Sequence, residues 1–234
     1  MSPQMTTAPN AERENRRPRP RSGWPVVTGL LLLSILPVLG GVLRLSEVSA
    51  DPEGALRSAS PVPIVAHIVA MTVYCVLGAF QFSPALRTRR GWHRVAGRVL
   101  IPAGMVGGLS AIWLAVAFGG PADEVGLAMV RAVFGVAMTA FLVRGTIAIT
   151  RRDFVGHGAW MTRAYALALT GSTQALLLIL WTLPFGEADA TIETWLVAAG
   201  FVLNTLIAEA IIRRRIHRRM SRMSPMPGPG ALVS

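Results

Sequence analysis

A chain of 234 residues that is 52% hydrophobic yet carries a formal net charge of +11 must keep its apolar and basic residues apart, which a water-soluble globular domain seldom does. All 23 basic residues are arginine, so Schiff-base and lysine general-base chemistry is excluded, and the single cysteine, Cys75, excludes a disulfide framework, a Cys-x-x-Cys motif and a thiolate metal cluster. Nucleic-acid binding is not indicated, because the arginines stand in short clusters beside apolar runs and no soluble recognition module remains to carry them.

Residues 1–22 are polar and rich in Pro and Arg, the composition of a disordered basic tail. Six apolar runs follow, at about 24–45, 62–83, 94–118, 125–149, 158–183 and 194–212. Each is long enough to span a hydrocarbon core of roughly 30 Å as a helix. The expected fold class is therefore all-α, a polytopic bundle of six transmembrane helices over 23–214, with a second basic, Pro- and Gly-containing tail at 215–234. The first run lacks a small-residue cleavage site, which favours an uncleaved span over a removable signal peptide. Pro37, Pro63 and Pro102 fall in or near the runs, where neighbouring helices compensate lost backbone bonds.

Arginines alternate with the loops. Clusters at 13–21, 87–98, 144–152 and 213–222 share one side, whereas the other holds Arg44 and Arg57 among Glu47, Asp51, Glu53, Asp123, Glu124, Glu187, Asp189 and Glu193. The positive-inside rule then sets both termini in the cytoplasm. The loops are too short for an extracellular domain, so the lipid bilayer is the principal partner.

Ionisable side chains within spans are costly, which makes each a functional candidate. On the second run His67, Met71, Tyr74, Gly78 and Gln81 share one helical face, which looks inward. His93 begins a stripe through Gly97, Gly104 and Gly108, a close-packing pattern that suits either another helix or a flat cofactor. His157 begins a third with Trp160, Met161, Ala164, Ala168, Gly171 and Ala175. At the helical rise His67 and Arg131 lie about 8 to 9 Å inside the acidic-loop boundary, in the same half as Gln174. Gln81, His93, His157 and Arg163 belong to the other half. His67 is thus too far from His93 and His157 to share their metal. Arg163 has no acidic residue nearby in sequence and requires a partner, and Glu209 stands one turn before Arg213, the spacing of a structural ion pair. His217, in the basic tail, fits a solvated or headgroup role.

At Arg90-Gly-Trp-His93-Arg94-Val-Ala-Gly97-Arg98 and His157-Gly-Ala-Trp160-Met161-Thr-Arg163 the chain resembles the family of predicted bacterial membrane proteins numbered 2306 in the domain-of-unknown-function series. The resemblance spans about 62–180 and rests on an early membrane histidine, here His67 with Gln81, an HR-x-x-GR segment and an H-x-x-WM-x-R segment. It implies a multi-pass protein of the bacterial cytoplasmic membrane, and no reaction.

Three functions follow from the residues. The first is a b-type haem or quinone-linked redox protein, with His93 and His157 as metal ligands, Gln81 and Trp160 lining the cofactor site and Arg98 or Arg163 for propionates, working with a quinone or protein redox partner. The second is an enzyme acting on a lipid or isoprenoid, for which Glu209 is the only carboxyl group within a span. The third is a non-catalytic transporter or assembly subunit with an outer polar pocket of His67, Arg131 and Gln174. Gly-rich faces suit a homo-oligomer as well as internal packing.

Overall fold

Backbone amides in lipid must be satisfied within their own segment, so apolar runs of this length leave helix as the available structure. The structure is a computed structural model describing residues 23–50, 61–87, 90–117 and 124–223. The expected N-terminal tail and the last residues of the C-terminal tail lie outside the described residues. The helices are α1 (Trp24–Ala50), α2 (Pro61–Phe80), α3 (Pro84–Arg87), α4 (Arg90–Ala117), α5 (Val125–Thr150), α6 (Phe154–Ala168), α7 (Thr170–Phe185) and α8 (Ala190–Met223), and no strand occurs among the described residues. Six spans result, because α6 and α7 together make one. No span window has more than 33% of its residues buried inside the protein. The rest of each presents Val, Leu and Ile outward, as a bundle solvated by lipid must.

The ends of the helices are set by local chemistry. Asp153 Oδ1 accepts from Gly156 N at 2.8 Å and starts α6 after a tight turn in which Arg152 takes a positive φ of 60°. Gly186, at φ 81°, ends α7, and Asp189 Oδ1 accepts from Ile192 N at 2.8 Å to start α8. The last span, expected to close at about 212, runs on to Met223 as helix. Arginine is a good helix former and no proline intervenes before Pro225, so nothing stops it.

Helices α1, α2, α4, α5, α8 and α7 pack in that order into a closed ring, and α6 packs on α2, α5 and α8. The break in the fifth span at Leu169 thus has a spatial effect. In the arginine-rich half α6 fills the centre; in the acidic-loop half α7 steps out into the wall between α1 and α8.

The core lies where α6 fills the ring. Tyr74, Cys75, Ala96, Leu100, Met138, Leu142, Ala164 and Tyr165 are buried together. Tyr165 donates to the Cys75 carbonyl at 2.8 Å, and its ring covers Gly78, where a β-carbon would not fit. The Gly104 face holds the Tyr74 ring and Leu142, and Gly108 meets Thr139 and Gly135. The glycine stripe of α4 therefore admits neighbouring helices. Cys75 is a buried apolar residue with a weak sulfur contact to the Ala168 carbonyl at 3.7 Å.

Asn204 on α8 ties the break to the ring. Its Nδ2 donates to the Ala166 carbonyl at 3.1 Å and to Thr170 Oγ1 at 3.3 Å, and its Oδ1 accepts from Thr173 at 3.0 Å. Asn204→Leu leaves those groups without their partner in a dry setting. Interhelical hydrogen bonds in membranes contribute about 0.6 kcal/mol on average and about 1.7 at most. With three bonds lost, a destabilisation of about 1 to 2 kcal/mol is expected in detergent unfolding, and wild-type stability would contradict it.

Candidate functional site

Stepping α7 outward leaves a cavity of about 740 Å³ in the acidic-loop half, lined by all six spans. From Glu124 at its mouth to Met138 at its depth it follows α5 for about 21 Å by the helical rise. Its deep walls are largely apolar, from Met71, Leu167, Phe134 and Phe201 with the hydroxyls of Thr72 and Thr170, and its larger polar groups are His67, Gln174, Arg44, Glu124 and Arg131.

His67 is oriented by α4. Its Nδ1 lies 3.0 Å from the Gly107 carbonyl and 3.1 Å from Ser110 Oγ. Ser110 is within 2.6 Å of the Val106 carbonyl, to which its hydroxyl donates. A carbonyl oxygen only accepts, so the proton is on His67 Nδ1, and in the neutral ring Nε2 is left as the acceptor. Among the described residues no side chain or backbone group hydrogen-bonds the Gln174 amide. The two arginines of the mouth are already matched: Arg44 holds Glu47 at 2.7 Å and Arg131 holds Glu193 at 3.2 Å. With Glu124 also present, the cavity offers no surplus positive charge.

His67, Arg131 and Gln174, expected in one half of the bundle, line this one cavity. The residues of the arginine-rich half are arranged differently. His157 donates through Nδ1 to the Gly145 carbonyl at 2.8 Å. His93 is partly buried on α4, and Arg98 on the same helix is exposed. Gln81, in the turn after α2, has a buried amide nitrogen without a hydrogen-bond partner among the described residues. Arg163 does find a carboxylate: its Nε and Nη2 donate to Glu209 at 2.5 and 3.0 Å. Glu209 therefore spends its hydrogen bonds across the bundle on α6 and not on Arg213, one turn along its own helix. Arg163 also lies over the Trp160 ring, 4.7 Å from its centroid. Among the described residues no group of three or more His, Cys, Asp or Glu is placed to hold a metal ion.

Ser110, Glu193 and Asn204 escape a reading of the sequence. Ser110 is a small hydroxyl inside an apolar run, three residues after Gly107 and so on the same helical face. Glu193 stands 62 residues from Arg131, and Asn204 marks a break that carries no Gly or Pro at its centre, so neither had a local signature.

No curated protein and no solved structure matches the chain. A family model described as "Predicted membrane protein (DUF2306)" matches residues 64–212, from the start of α2 to the arginine-rich part of α8. That stretch is well over half of the chain and contains His67, both arginine-histidine segments and the Arg163–Glu209 pair. The protein belongs to the DUF2306 family of predicted membrane proteins.

Proposed function

We propose that this protein is a membrane-embedded binding protein that takes a neutral, hydroxyl-bearing amphiphile, such as a quinol or an isoprenoid alcohol, into the cavity of its acidic-loop half. The observation that carries this reading is the cavity itself. Its volume falls within the roughly 300–1,000 Å³ of small-molecule sites, with apolar walls and a few convergent polar groups. Matched charges at the mouth argue against a strongly anionic ligand, because a carboxylate or phosphate would have to displace Glu47 or Glu193. His67 Nε2 accepts, so the ligand's head group donates, and the Gln174 amide serves either sense of bond. A spanning helix broken beside a cavity is the device by which membrane carriers line their sites. The same proposal sets the arginine-rich end in the cytoplasm of a bacterial cell.

The test is calorimetric titration of purified protein with decylubiquinol and with farnesol. Binding of at least one is expected. His67→Leu should weaken it about tenfold, the scale of one lost hydrogen bond, whereas His67→Gln, which keeps an acceptor, should restore much of the loss. If neither probe binds, or if His67→Leu binds as well as the wild type, the reading is wrong.

A second reading, b-type haem between His93 and His157, is favoured by one separate observation. His157 spends Nδ1 on a backbone carbonyl, the arrangement that frees Nε2 for a metal. Helices α4 and α6 also stand opposite each other in the four-membered circuit α2, α4, α5, α6. Arg163, held by Glu209, is then unavailable to a propionate, which leaves exposed Arg98. An absorption spectrum with iron analysis after expression with a haem precursor decides it: a Soret band lost in His93→Ala and His157→Ala supports haem, and no band removes it.

A further inference from the structure

The arginine-rich half holds a charged site separate from the cavity. Two guanidiniums lie over the partly buried Trp160 ring: that of Arg163, 4.7 Å from the centroid, and that of Arg144 on α5, at 5.1 Å. Arg163 is matched by both oxygens of Glu209. Arg144 is exposed and has no carboxylate partner among the described residues. Arg213, also exposed, adds its charge one turn beyond Glu209. Of the two guanidiniums over the ring, one has a carboxylate and the other has none among the described residues.

Depth makes the imbalance informative. Arg144 precedes the end of α5 at Thr150 by six residues, about 9 Å along the helix. Tryptophan rings gather at the boundary between hydrocarbon and headgroups. A guanidinium held at that level requires an anion, and the anion present throughout it is lipid phosphate. The indole face holds the Arg144 guanidinium by a cation–π contact, and its N–H groups, which make no carboxylate contact among the described residues, remain for bonding to phosphate oxygens. A surplus of positive charge beside such a phosphate selects a headgroup with no compensating ammonium.

We propose that Arg144, lying over the Trp160 ring, binds the phosphate of an anionic phospholipid in the leaflet at the arginine-rich end. The site is separate from the cavity, whose lining includes neither Arg144 nor Trp160.

Native mass spectrometry of the detergent-purified protein, titrated with dioleoyl-phosphatidylglycerol, dioleoyl-phosphatidylcholine and glycerol phosphate, tests it. The tightest phosphatidylglycerol is expected to bind in preference to phosphatidylcholine and to resist equimolar glycerol phosphate. Arg144→Gln should weaken that lipid about fivefold, the scale of one juxtamembrane arginine. Trp160→Leu should weaken it too, by freeing the guanidinium. Arg144→Lys, which keeps the charge without the planar fork, should fall between glutamine and wild type, and Arg219→Gln should leave it unchanged. Equal binding of the two lipids, displacement by glycerol phosphate, or an Arg219→Gln loss equal to that of Arg144→Gln would each overturn the proposal. So would equal affinity in wild type, Arg144→Lys and Arg144→Gln.

Discussion

Glu209→Ala is expected to destabilise the protein by about 3 kcal/mol, the lower end of what stranding one partner of a buried ion pair costs. The lower end applies because the two side chains are 22% and 30% exposed. The loss arises from Arg163, which would keep its Trp160 contact but have no counterion within the bundle. Replacing both members by leucine removes the stranded charge together with its partner, so Arg163→Leu with Glu209→Leu should lie close to wild type. Unfolding in mixed dodecyl sulfate and maltoside micelles measures the cycle. A single-variant loss below about 1 kcal/mol, the range of exposed pairs, would mean that lipid phosphate or water takes over the role of Glu209.

The second large effect is steric. A β-carbon built on Gly104 comes 2.7 Å from the Tyr74 ring and 2.8 Å from Leu142. Both neighbours are buried, and Tyr74 is itself backed by Tyr165 at a ring separation of 6.0 Å. Gly104→Val should therefore cost about 3 kcal/mol, the upper range of overpacking. Leu142→Ala in the same chain should recover part of it by opening the space. Gly97→Val on the same helix, where nothing lies within 4 Å of the new carbon, should be close to neutral. Comparable unfolding of the two valine variants would show that glycine at 104 is not required by packing.

Much of the fold was legible because lipid simplifies it. Apolar run length gave the six spans, and the spacing of His67, Tyr74 and Gly78 correctly gave the inward face of α2. Depth counting along separate helices brought His67 and Arg131 to one level and Gln174 to the same half, and all three line the cavity. The partners were not legible. Arg163 and Glu209 are 46 residues apart, and the local spacing pointed to Arg213 instead, because i to i+4 arithmetic knows nothing of the helix that packs alongside. The glycine stripe of α4 suited a flat cofactor or a helix equally, and nothing local to it said that Tyr74 and Leu142 lie against Gly104. The break at Leu169 has no proline, and Gly171 beside it reads equally as a small packing residue; the break is held by Asn204 from another span. The cavity depends on that break, so it too was beyond one-dimensional reasoning.

The length of α8 restricts how this bundle can move. Its 34 residues make a rod of about 51 Å, longer than the roughly 40–45 Å of a whole bilayer. Six arginines occupy its last stretch, from Arg213 onward. Sliding the rod one turn toward the acidic end would draw Arg213 and Arg214 into the edge of the hydrocarbon, toward the centre where each would cost about 2.5–3.5 kcal/mol. Piston motion of the sixth span is thereby opposed in that direction, and tilt or swivel about a fixed waterline costs less.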